Sequence, residues 1–86
     1  MELEQLRIFV AAAESGSLSK AGRRLYISHS TVSRTVAALE RELGVQLLER
    51  GSHEIRLTAA GEALLEEARG LLDRADEAVR RVRDTI

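Results

Sequence analysis

Apolar positions near the start of the chain recur every three or four residues. Leu3, Leu6, Phe9, Val10 and Ala13 share one stripe, which predicts a helix over 2–14. Ile8 falls on the other side of that helix, where a small core has little use for it. Ser15-Gly16-Ser17 stops the helix: Gly16 suits a left-handed C-terminal position, and Ser17 or Ser19 can cap the next one. A short second helix ends near Leu25 and buries Leu18, Ala21 and Leu25. Gly22 inside it costs ~1 kcal/mol relative to Ala, so tertiary packing must hold it. Tyr26-Ile27-Ser28 forms a turn, Ser28 caps a third helix over 29–43, and Gly44 closes it. Along that helix Val32, Val36, Leu39 and Leu43 lie within about 60° of one another and form a buried stripe. Ser30, Arg34, Ala37 and Arg41 project opposite, with Thr31 and Ser33 on the flanks.

The period changes after Val45. Residues 46–50, then Gly51-Ser52, then 53–57 read as strand, turn and strand. Thr58 caps a last helix of about 28 residues, or ~42 Å. Leu64, Ala68, Leu71, Ala75, Ala78 and Val82 are spaced by four and three residues along it, and Leu65, Leu72, Val79 and Ile86 form a parallel row. That double seam is longer than the preceding 58 residues can cover and calls for a partner helix. The expected fold is mainly α: three helices with a two-stranded wing over 1–58, then a long linker or dimerisation helix over 59–86.

Composition narrows the function. Among 86 residues the only aromatics are Phe9 and Tyr26, so the core must be aliphatic, and a core of this size is marginal without a partner. The absence of cysteine excludes disulfides, thiolate zinc sites and thiol nucleophiles. A start without a basic, apolar leader and the absence of any apolar stretch near 20 residues predict a soluble, cytoplasmic chain with no membrane contact.

Net charge is −1, which by itself argues against a polyanionic partner, but the distribution reverses that. No Asp or Glu occurs between Ser15 and Leu39, where Lys20, Arg23, Arg24 and Arg34 lie, while residues 59–86 carry seven acids against five Arg. One acid-free basic segment beside an acidic helix is expected when a single face meets phosphates.

Two helices joined by a short turn over about 18–37, the second with a small polar outer face, make a helix-turn-helix. The hairpin over about 46–57 makes it winged. Sequence-specific binding of double-stranded DNA is the function expected, with His29, Ser30, Thr31, Ser33 and Arg34 on the recognition helix. An Arg here can bond guanine O6 and N7 together or hold a phosphate, and no acid lies within four residues of Arg34 to claim it. Ser17, Lys20, Arg23 and Arg24 are candidates for phosphate contact, and Arg50 and His53 for the wing. The expected partner-helix surface comprises Ile8, Leu64, Leu65, Ala68, Leu71, Leu72, Ala75, Val79 and Val82. No metal or cofactor is expected.

Several stretches in this order and spacing carry a family likeness. They are Leu6-Arg7-Ile8-Phe9-Val10-Ala11, Ser15-Gly16-Ser17-Leu18, Leu25, Ser28, Val32-Ser33-Arg34, Leu39-Glu40, Glu42 through Arg50, and Ile55-Arg56-Leu57-Thr58-Ala59-Ala60-Gly61. With them the chain resembles the N-terminal DNA-binding region of bacterial LysR-type transcriptional regulators. The resemblance implies transcription regulation by a homodimer paired through its last helix, tetrameric in a longer parent. It also implies a larger effector-binding domain that this chain lacks. Departures fall where specificity is set: His29 and Ser30 replace the usual Gln and Pro, and His53 replaces a wing Arg that enters the minor groove. Gly22 stands where Ala is frequent, and Leu48 where Phe is.

Two other classes compete. The acid-free run argues against a winged-helix and coiled-coil protein-interaction module, and the pattern from Arg50 to Gly61 argues against a MarR-like regulator. An enzyme is not expected. His53-Glu54-Ile55-Arg56-Leu57 begins like a zincin motif but has Leu where the second His is needed. The serines around His29 have no acid close in sequence to complete a triad.

Overall fold

The computed structural model describes residues 1–51 and 54–86. Four helices and one hairpin run in the order α1 (Leu3–Ser15), α2 (Leu18–Leu25), α3 (His29–Leu43), β1 (Leu48–Arg50), β2 (Ile55–Leu57) and α4 (Ala59–Arg83). This is a winged helix-turn-helix with a long trailing helix, as the patterning predicts.

Helix ends are set by local chemistry. Glu2 and Gln5 form a capping box at the start of α1, and Gly16 ends that helix in the left-handed region at φ 70°. Between α2 and α3 the chain turns so closely that a Cβ on Gly22 would lie 2.7 Å from the Ile27 carbonyl oxygen. The Ile27 amide donates back to the Gly22 carbonyl at 2.9 Å, which satisfies the end of α2. In this chain a Cβ at position 22 would force the turn to shift. The α2 C-cap itself is Tyr26, at φ 59° and almost wholly exposed.

The core gathers around α1, which packs against α2, α3, α4 and β2. Phe9, Ala12, Ala21, Val32, Val36, Leu39, Leu47 and Leu48 are buried within it. A second cluster joins Leu6 and Val10 to Ala68 of α4. Helix α1 is thus buried nearly all round, a pattern visible in the unbroken apolar run Ile8–Ala12. This corrects the expectation for Ile8: it is 7% exposed, belongs to the domain's own core and offers little surface to a partner chain. Leu3 and Leu43, expected on buried stripes, are instead exposed, because each lies at a helix end beyond the edge of the core.

The partner-helix surface is also corrected. Ala68 has no exposed surface, and Leu64, Leu65 and Leu72 are half-buried against Leu6 and Val10. The domain covers the first half of the seam with its own α1. The second half stays open: Leu71 is 46% exposed, Val79 48% and Val82 66%, with Ala75 half-buried. Helix α4 also ends at Arg83, so Ile86 lies past it and does not extend the row.

The wing strands are shorter than expected, with Leu48 opposite Leu57 and Arg50 opposite Ile55. Residues 46 and 47 drop out of the ladder because side chains and caps claim the backbone there. Glu40 on α3 accepts from the Leu47 and Leu48 amides at 2.8 and 3.3 Å. Thr58 donates its hydroxyl to the Gln46 carbonyl and its amide to that of Leu47. The same hydroxyl caps α4 by accepting from Gly61 N at 3.0 Å.

Glu14, at the end of α1, pairs with Arg69 of α4 and Arg24 of α2. The hydrogen bonds from Arg69 and then Arg24 hold its carboxyl below the ordinary value of 4.5. The carboxylate is therefore favoured in the folded state. Its stabilisation is present above the unfolded-state pKa and is lost as pH falls through the folded one. The pair is largely solvated, so Glu14→Gln should cost less than about 1 kcal/mol at neutral pH. The difference from the unmodified chain should shrink as pH falls below the ordinary Glu value and vanish only below the lowered folded-state pKa. Thermal melts of both proteins across that range test this, and a gap that widens on acidification contradicts it.

Candidate nucleic-acid interface

Two helix starts and the wing base converge on one surface. Ser17 caps α2 and accepts from the Lys20 amide at 3.3 Å, and Ser28 caps α3 and accepts from the Thr31 amide at 3.0 Å. Neither helix has an acid in its first turn, whereas α1 has Glu4 and α4 has Glu62. The positive ends of the α2 and α3 dipoles are therefore left uncompensated by side chains of their own first turns, and both favour an anion.

Between these starts and the wing lies an open crevice of about 340 Å³ lined by Ser17, Ser19, His29, Ser33, Arg50 and Glu54 among others. Strand β2 is anchored beside it by the Ile55 amide, which donates to the Gly16 carbonyl at 3.2 Å. The fold thus brings Ser17, His29, Ser33 and Arg50 together, although 33 residues separate the first from the last in the chain. Sequence reasoning missed Glu54 as a member of this surface. An acid in a hairpin gives no signal until the hairpin is seen to face α3 across the crevice.

Along α3, His29, Ser30 and Arg34 are exposed, while Thr31 and Ser33 are half-buried. The Ser28 and Thr31 hydroxyls lie 2.8 Å apart, and Arg34 Nη2 donates to Thr31 Oγ1 at 3.4 Å. Thr31 is therefore partly committed within the helix, and its clearest effect is to steady the Arg34 guanidinium. No acid pairs with Arg34 among the described residues. Lys20 and Arg23 are exposed on α2. Arg24 departs from the expected free cation, because Glu14 Oε1 holds its Nη1 at 2.9 Å. His53, the expected wing contact, lies outside the described residues.

Known proteins share this arrangement. The family model described as bacterial regulatory helix-turn-helix protein, lysR family, matches residues 3–62. The HTH-type transcriptional regulator TfdS of Cupriavidus pinatubonensis is 51% identical over 83 residues, covering 96% of this chain and 28% of that protein. The crystal structure of the CbnR DNA-binding domain in complex with DNA superposes with a TM-score of 0.96 at 46% identity, over 99% of this chain and 98% of that one. The BenM DNA-binding domain on a catB site 1 DNA gives 0.95 at 41% identity, over 99% and 96%. This chain spans little more than a quarter of the length of TfdS. Match length, identity and fold agree: the chain belongs to the LysR family of bacterial helix-turn-helix regulatory proteins.

Proposed function

We propose that this chain binds double-stranded DNA sequence-selectively in the bacterial cytoplasm and regulates transcription as a homodimer. Helix α3 enters the major groove and the wing lies along the adjacent minor groove. The observation that carries this reading is the outer face of α3: Ser30 and Arg34 exposed, no acid paired with Arg34 among the described residues, and bare helix starts beside them. Helix starts and Arg50 take backbone phosphates, while Arg34, steadied by Thr31, reaches base edges. The relatives known as DNA complexes share this scaffold. Dimerisation falls to the open half of α4 around Leu71, Val79 and Val82.

Arg34→Ala should weaken binding to a selected duplex by ~1–3 kcal/mol and leave the melting temperature nearly unchanged. Val36→Ala, by contrast, removes a side chain with no exposed surface and should lower the melting temperature first. The duplex comes from selection by the chain on random sequences, and affinity should fall steeply with salt. An Arg34→Ala protein that binds like the unmodified one removes α3 as the reading helix. A chain that binds no duplex at low salt removes the function.

A further inference from the structure

Glu14 is the last acid before the acid-free run, and it joins three helices. Its Oε1 lies 2.9 Å from Arg24 Nη1 at the end of α2. Its Oε2 accepts from Arg69 of α4 twice, from Nη2 at 2.9 Å and from Nε at 3.3 Å. Earlier on α1 and later on α4, Arg7 Nη2 lies 3.7 Å from Asp76 Oδ1. The two pairs show that α1 and α4 run antiparallel, beside the apolar contact of Leu6 and Val10 with Ala68.

Those contacts do different work. Apolar burial is non-directional and resists separation of the helices more than rocking of one on the other. The Arg69 fork on a single carboxylate oxygen, tied in turn to α2, is directional. Helix α4 is tied to α1 again at Asp76 and continues beyond it to Arg83, or ~10 Å. A small tilt at the Glu14 joint is therefore magnified at the far end, where Val79 and Val82 are exposed.

Resting on the DNA-binding, dimeric reading above, we propose that Glu14 and Arg69 are positioning residues. They set the angle between the helix-turn-helix and the dimerising end of α4, and so the interval between half-sites that one dimer accepts. Lengthening that interval by a single base pair turns one half-site by about 35° against the other. A joint that resists tilting penalises such a site, and a loose joint tolerates it.

Arg69→Gln opens the joint to α4 while leaving Glu14 paired with Arg24. Its affinity is measured for three kinds of duplex: the two-half-site sequence the unmodified chain selects from a random pool, the same sequence with the interval lengthened or shortened by one base pair, and a single half-site. The preference for the selected interval should fall by about two- to fivefold, the equilibrium equivalent of an exposed ion pair. Single half-site affinity should not change. Arg69→Lys, which keeps the charge without the fork, should fall between the two. A merely structural role would lower the melting temperature and leave the interval preference alone, and that result overturns the proposal. So does an unmodified chain that binds both intervals equally. If the unmodified chain binds no duplex at all, the DNA-binding reading fails, and this proposal fails with it.

Discussion

Replacing Leu71 and Val79 together by Glu should convert a dimer into a folded monomer. Both side chains are about half exposed in the single chain, so the substitutions place charge in water there and leave the core intact. In a dimer paired through the open half of α4, the same carboxylates would be desolvated without partners, at a cost of several kcal/mol. Sedimentation should show one species of monomer mass, with a melting temperature set by the domain alone. Affinity for a two-half-site duplex should drop by about 10²–10⁴, because the second contact no longer benefits from being tethered to the first. Single half-site affinity should hold. Leu72→Glu makes the contrast, since Leu72 is half-buried against Leu6 and Val10, and its replacement should destabilise the fold itself. An unchanged dimer in the Leu71/Val79 double variant would place the interface elsewhere.

Gly61→Ala should be the most damaging single methyl group added to this chain. Gly61 is buried in the first turn of α4, and a Cβ there would overlap the Leu47 carbonyl oxygen. That carbonyl is fixed by the Thr58 amide at 3.0 Å and cannot swing aside without breaking the joint between wing and α4. Ala gains about 1 kcal/mol of helix propensity over Gly, but an overlap with backbone costs more than the 1–3 kcal/mol typical of overpacking. A net loss of ~2 kcal/mol or more lowers the melting temperature of a domain this size by roughly 8–16 °C. Gly70 in the same helix is the control: a Cβ there meets nothing within 4 Å, so Gly70→Ala should raise the melting temperature. If Gly61→Ala melts as high as Gly70→Ala, α4 does not approach Leu47 so closely.

The features legible in the chain alone divide from the rest along a physical line. Helix α3 is legible to the residue, because a capping Ser28, a period of buried Val and Leu, and a closing Gly44 are all local signals. The convergence of α2, α3 and the wing is legible only through family likeness, since no local pattern says how a hairpin folds back over a helix. Periodicity misplaces Ile8 because a single-stripe reading assumes one buried face, whereas α1 has neighbours on nearly every side. The seam on α4 reads as wholly intermolecular for the same reason: period tells which face is apolar, and nothing local tells what covers it. The Glu14 joint is invisible in the chain, because its partners lie 10 and 55 residues away and charged side chains carry no period. Pattern overestimates strand length because Glu40 takes two amides that alternation assigns to the ladder.

The residues that hold α3 in place and those that look outward from it hardly overlap. Val32, Val36 and Leu39 fill the core, and Glu40 carries the wing on its carboxylate. His29, Ser30 and Arg34 are exposed and lie outside that core. Substitutions at such exposed positions usually shift stability by no more than about 0.5 kcal/mol. On the proposed reading, a lineage built on this scaffold can therefore wander through new target sequences at positions 29, 30 and 34 almost free of folding selection. Position 40 has no such liberty, because losing that carboxylate would slacken the reading helix and the wing in a single step. If α3 reads DNA as proposed, target choice and architecture are inherited separately, and one small domain can be reused at many target sites.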